Sequence, residues 1–147
     1  MTDSIRYINP PNTAPAQGLY SHVTVVPPAP MAHIAGQLSI DRDGNVVGKG
    51  DAERQIRQIF ANLGDVLGGL GLDYNNVVKF TTYLVHSQDI EIFMRVRAEL
   101  FPKLFGGKRY PPNTLLIIDR LVKEDFLAEV EAVAVMDPQI RMSQAAE

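Results

Sequence analysis

Residues 126–135, Phe-Leu-Ala-Glu-Val-Glu-Ala-Val-Ala-Val, set two carboxylates two positions apart in an otherwise apolar run. Strand side chains alternate between faces. Phe126, Ala128, Val130, Ala132 and Ala134 then share a wholly apolar face, and Leu127, Glu129, Glu131, Val133 and Val135 share the other. A carboxylate on a face that looks built for burial must be paired, hydrogen-bonded or protonated. Two readings stay open. It is held in a structural ion pair at an interface, or it lines a polar pocket where burial lifts its pKa toward neutrality and suits it to acid–base work.

Other groups offer less by spacing alone. His22, His33 and His86 are far apart, with no paired metal-ligand spacing, so no metal site is expected. Ser21 and His22 are only neighbours, whereas a Ser-His-Asp triad is a spatial arrangement. Gly64, Gly68, Gly69 and Gly71 lie in or after a helical stretch and lack the strand–loop–helix setting of a phosphate loop. The chain has no cysteine, which excludes disulfides, thiolate ligands and Cys nucleophiles.

The elements that must position Glu129 follow from periodicity. Alternating segments predict strands at 20–26, 31–40, 76–85, 110–121 and 126–135, with a short one near Ile5–Ile8. Asp41–Asn45 reads as a hairpin-type turn through its Asp-Gly pair. Ala52, Ile56, Ile59, Phe60, Leu63, Val66, Leu67 and Leu70 mark one face of a helix over 51–70, capped by Asp51 and ended by Gly71. Ile92, Phe93, Val96 and Leu100 mark a second helix from about Asp89 to Phe101 or beyond, which Pro102 should break or kink. The tail from Asp137 is polar and is expected to fray.

The 147 residues make one expected domain, 1–147, with a core of about 15–136 and no internal linker. Apolar residues make up 46% and charged residues 21%, as in ordinary globular proteins. The net charge of −3, without a basic stripe, argues against nucleic acid as partner. No apolar run approaches the length of a membrane span, and the first residues lack a secretion-signal pattern, so the expected compartment is cytoplasmic.

The element order predicts an α+β fold, a mostly antiparallel sheet with two helices on one face. The second face is also apolar. Leu115 and Ile117 alternate with Leu116 and Ile118, and Val78, Phe80 and Leu84 alternate with Val77, Tyr83 and Val85. An apolar face without a cover marks an interface, so this face is expected to pack against copies of the chain. Periodicity leaves the number of copies open. Glu129 and Glu131 would then look toward a subunit boundary.

Several segments together resemble one family. They are Gly-Leu-Tyr-Ser-His (18–22), Ala-Gly-Gln-Leu-Ser-Ile-Asp (35–41), the helix 53–71, and the closing run from Tyr110 through Val135. In this order they resemble the YjgF/Rid reactive-intermediate deaminases, whose members are often labelled endoribonuclease L-PSP or translation inhibitor. The resemblance implies a chorismate-mutase-like fold, a homotrimer whose sheets form a central barrel, and clefts between subunits. It implies hydrolysis of small enamines or imines, with no metal or organic cofactor. Carried over residue by residue, it makes Glu129 the water-activating glutamate and Tyr20 the tyrosine that meets substrate. It makes Gly36 the glycine that lets ligand approach the backbone. Asn113, Thr114 and Leu115 would line the substrate side. The family's deaminases carry Pro-Ala-Arg before the penultimate strand, and the arginine grips the substrate carboxylate. Here the segment reads Pro111-Pro112-Asn113, a neutral amide in place of a guanidinium. Arg97, at the edge of the second helix stripe, and Arg109 are the candidates to replace that charge. Three readings follow: a cofactor-free hydrolase of a small reactive nitrogen metabolite, a non-catalytic trimer binding a small-molecule ligand, and a ribonuclease or translation inhibitor.

Overall fold

A computed structural model describes residues 4–107 and 109–142. Strands β1 (Arg6–Ile8), β2 (Val23–Val25) and β3 (Met31–Gln37) come first, and helix α1 (Ala52–Gly69) follows. Then come β4 (Val77–Leu84), helix α2 (Ile90–Phe105), β5 (Asn113–Ile117) and β6 (Ala128–Val135). The main sheet has the order β3-β6-β4-β5, and β1 pairs with β2 apart from it. The β3–β6 and β6–β4 pairs are antiparallel, while β4 and β5 run parallel. A parallel neighbour needs a long crossover, and α2 supplies it. The sheet is therefore mixed rather than uniformly antiparallel.

Both helices lie over one sheet face because their apolar stripes have no other cover. Helix α1 starts where the Asp51 carboxylate accepts the Arg54 N–H at 3.0 Å, and Gly71 leaves it at φ +74°. It buries Ile56, Ile59, Phe60, Leu63 and Leu67 against the sheet. Helix α2 runs through Pro102 and ends at Gly106, whose φ is +67°. This corrects the expected break. Pro102 lies in the last turn, where a missing N–H removes a single bond, and buried Phe101 and Phe105 tie that turn to the core. An edge-to-face cluster centres there, with Phe60 and Phe101 at 5.5 Å and Phe101 and Phe105 at 5.2 Å. Burial of each such ring contributes about 1.5–3 kcal/mol.

Two irregularities set which side chains face where. In β4 the register shifts between Val77 and Lys79. Val77 consequently joins Phe80 in the helix-side core, and Val78 joins the opposite side, the reverse of strict alternation. In β3 the register shifts between Ile34 and Gln37, so Ala35 and Gly36 stand against the single residue Glu131.

The second sheet face is partly covered by the chain itself. Ile5, Tyr7, Val78, Val135, Ile140 and Met142 form a smaller core there. The Tyr7 hydroxyl donates to the Val77 carbonyl at 2.6 Å, and the Met142 N–H donates to the Asn75 carbonyl at 2.8 Å. The tail is thus packed, not frayed, through Met142, because Ile140 and Met142 alternate into this core. The remaining expected tail, 143–147, lies outside the described residues. What stays open on this face is the stretch carrying Glu129, Glu131, Thr81, Tyr83 and Leu116. Strand β5, expected over 110–121, is shorter and ends at Ile117. No helix among the described residues is long and apolar enough to cross a membrane.

Candidate functional site

Register divides the expected site residues between the two sheet faces. Asn113 pairs with Phe80 and Leu115 with Thr82, both on the helix side. Thr114 pairs with Thr81, which pairs with Glu131, and Tyr83 pairs with Glu129, all on the open side.

On the helix side a cavity of about 300 Å³ is lined by Tyr20, Arg97, Asn113 and Gln17. Ile90, Met94 and Leu115 form its apolar wall. Arg97 is only 3% exposed. Its Nη2 meets the Met94 sulfur at 2.9 Å, and its guanidinium lies 5.2 Å from the Phe93 ring and 6.0 Å from the Tyr20 ring. Its Nε is buried with no hydrogen-bond partner among the described residues. Burial draws its pKa down to about 10, and Tyr20 opposes that shift. The side chain is therefore still a cation at neutral pH, but one without a counter-ion among the described residues. Gly18 makes the space for it, since a Cβ at that position would stand 2.4 Å from Nη2.

The cavity's other polar groups are donors as well. Asn113 Oδ1 accepts from the buried Thr82 hydroxyl at 2.7 Å, which leaves the amide NH₂ uncommitted among the described residues. The Tyr20 oxygen accepts the Gln17 N–H at 3.1 Å, so its own hydrogen remains to donate. A buried cation, an amide NH₂ and a hydroxyl around an apolar-walled space call for a ligand with an anionic acceptor group and a small carbon body.

On the open side Glu129 lies directly over Gly36, where a Cβ would be 2.0 Å from Oε1. This close approach is why residue 36 is glycine. Burial raises the Glu129 pKa, and the charge of Glu131 adds to the rise. No donor among the described residues bonds the Glu129 carboxyl. Glu131 differs, because the Tyr83 hydroxyl donates to its Oε1 at 2.5 Å. Such a geometry suits Glu129 to take up and release a proton.

Tyr20, Arg97, Asn113 and Leu115 thus come together around one cavity, and Glu129 and Gly36 come together on the other face. Thr114 is exposed, in the same row as Thr81 and Glu131, and does not line the cavity. Arg109 lies in a neighbouring hollow with Tyr7 and Tyr110 that shares only Gly18 and Tyr20 with the surroundings of Arg97. Among the described residues no group of three or more His, Asp or Glu is placed to hold a metal ion. Sequence reasoning missed Gln17, Ile90 and Met94 as lining residues. It also missed Tyr83 as the partner of Glu131, though a lone hydroxyl on the same strand parity as the carboxylates was the available signal.

Comparison with known proteins identifies the family and the fold. The profile of the Endoribonuclease L-PSP family matches residues 11–136. A RutC family protein of Pyrococcus horikoshii is 37% identical over 101 residues, 69% of this chain and 75% of its own length. The 2-iminobutanoate/2-iminopropanoate deaminase of Rattus norvegicus is 31% identical over 94% of this chain and 96% of its own. Among solved structures, the Rid family protein YyfB of Yersinia pestis superposes with a TM-score of 0.81 at 28% identity, covering 90% of this chain and 98% of that one. The chain belongs to the Rid/YjgF, or endoribonuclease L-PSP, family.

Proposed function

We propose that this protein is a cofactor-free hydrolase of a small imino or enamino acid. Arg97 holds the substrate carboxylate from helix α2, the Asn113 amide adds a neutral donor, and Tyr20 contacts the reacting end. Glu129 removes a proton from water as the oxygen bonds to the imine carbon. It returns that proton to the nitrogen, giving a carbinolamine. The same carboxylate then takes the proton of the new hydroxyl and passes it to the amine as the C=O forms and the C–N bond breaks, so that a keto acid and ammonia leave. Because Glu129 and Arg97 lie on opposite faces of one sheet, the reading requires the Glu129 of a second copy to close the cavity, in a homotrimer. The rat deaminase, matched over nearly the whole chain, supports 2-iminobutanoate and 2-iminopropanoate as first substrates to test.

The observation that carries the proposal is the buried Arg97 guanidinium with an unpartnered Nε lining the cavity. A buried charged donor without a partner calls for an explanation, and an anionic ligand in the cavity it lines supplies one. Ammonia release from the two imines, generated in situ, tests it. Activity in the wild type that disappears in Glu129→Gln and needs far more substrate in Arg97→Gln is the expected result. The absence of turnover in the wild type, together with saturable carboxylate binding lost in Arg97→Gln, would favour the non-catalytic binding reading. Asn113 speaks for that second reading, since a neutral amide stands where the resemblance places the substrate-gripping arginine.

A further inference from the structure

The open sheet face holds two carboxylates that are not equivalent. Glu129 and Glu131 point the same way from β6, one strand repeat apart. Glu129 has no hydrogen-bond donor among the described residues, and Gly36 confines it from below. Glu131 is fixed by the Tyr83 hydroxyl at 2.5 Å, even though Tyr83 stands in register with Glu129. The hydroxyl therefore crosses diagonally to the second carboxylate instead of meeting the one opposite it. The bond fixes the direction of the Glu131 side chain and holds it beside Glu129.

We infer that Tyr83 and Glu131 act as a positioning pair for Glu129: the hydroxyl holds Glu131 as a fixed anion beside Glu129, and that anion sets Glu129 as the carboxyl that exchanges a proton. The inference rests on the hydrolase reading for its kinetic consequence but not for its physical content. A like charge two positions along the strand disfavours ionisation of Glu129. The raised pKa of Glu129, with burial first and Glu131 second as its causes, agrees with this division.

The other groups around Glu129 do not offer a competing explanation. On β4, Lys79 lies beside Glu131 in a shallow hollow but forms no ion pair with either carboxylate. On β3, His33 stands opposite Val133, further along the sheet. On β5 the same face presents Thr114 and Leu116, which carry no charge. Helices α1 and α2 lie on the far side of the sheet. Tyr83 is thus the only group among the described residues that hydrogen-bonds either carboxylate.

The test compares wild type, Tyr83→Phe and Glu131→Gln in two readouts. The first is a carbon-13 NMR titration of the Glu129 carboxyl without substrate, with its signal assigned by its loss in Glu129→Gln. The midpoint should fall by about half to one pH unit in Glu131→Gln, as removal of a neighbouring like charge requires. It should fall by less in Tyr83→Phe, which leaves the charge but frees it to swing away. The second readout is the acid limb of kcat/KM for imine hydrolysis, which should move by the same amounts while KM stays near wild type. A merely structural role would lower melting temperature without moving either midpoint. A Glu129 midpoint unchanged in both variants overturns the inference. If instead the midpoints move but Glu129→Gln keeps full turnover, the hydrolase reading fails and the positioning pair stands.

Discussion

The two faces of the sheet present opposite chemical needs. On the helix side, Arg97, Asn113 and Tyr20 offer only donors and a positive charge around an apolar-walled space. On the open side, Glu129 and Glu131 present carboxyl oxygens, and the Tyr83 hydroxyl serves Glu131 alone among the described residues. Arg97 on one face has no counter-ion, and Glu129 on the other has no hydrogen-bond donor, among the described residues. Placing a buried cation and a poised carboxyl on opposite faces keeps them from neutralising each other within one chain. A direct Arg97–Glu129 ion pair would have satisfied both groups and ended their usefulness.

Four substitutions break or sharpen this contrast. The largest effect is expected from Gly36→Ala. The new methyl would occupy the position of the Glu129 carboxylate, and displacement of a catalytic group by about 1 Å can lower turnover about a hundredfold. Steady-state kinetics should show the loss in kcat, with the fold retained by circular dichroism. Next comes Arg97→Met, which fills the same volume without charge. Loss of a charged hydrogen bond of about 1.5–3 kcal/mol should raise KM about ten- to a hundredfold. The same change should raise the melting temperature, because it removes a buried cation without a counter-ion. Opposite movement of affinity and stability would mark Arg97 as a group kept for binding.

Asn113→Ala should be milder. It strips the buried Thr82 hydroxyl of its acceptor at a stability loss of about 1 kcal/mol, readable in urea unfolding, with a small rise in KM. The smallest effect belongs to Glu129→Gln on stability. The folded-state pKa of Glu129 is raised, so the wild type loses stability as pH climbs through that value, and loses none below the ordinary carboxyl range. Glu129→Gln should therefore melt slightly above wild type at pH 8, and the gap should close by pH 4 or so. Melting curves across that range check the sign.

Local chemistry explains which parts of this arrangement could be read from sequence. Asp51 and Gly71 bound α1 as expected, because capping and positive φ are decided within a few residues. The Asp41–Asn45 turn closes with the Asp41 N–H on the Asn45 carbonyl for the same reason. The parity of Glu129 and Glu131 held through β6, which is regular. Parity failed at Val77 and Val78, where a bulge in β4 inserts one residue and inverts the faces. Pro102 was overruled by the burial of Phe101 and Phe105, and the tail by Ile140 and Met142, which are tertiary effects. Arg97 could be placed at the edge of the α2 stripe, but its burial depends on the Gln17–Tyr20 segment lying across it, made possible by Gly18. That Glu129 faces away from the helix bearing Arg97 was legible from strand parity. The strand order, which sets Gly36 under Glu129 and Tyr83 across from it, is tertiary, and no local pattern encodes it.

The division between faces has a genetic consequence. If a working site takes Arg97 from one copy and Glu129 from the next, a chain lacking either group is inactive only among its own kind. Mixed with chains lacking the other, it would contribute its intact half to some of the boundaries they share. Two defective alleles, each silent by itself, would then restore function when expressed together. An arrangement with both groups in one chain's pocket could never show this complementation.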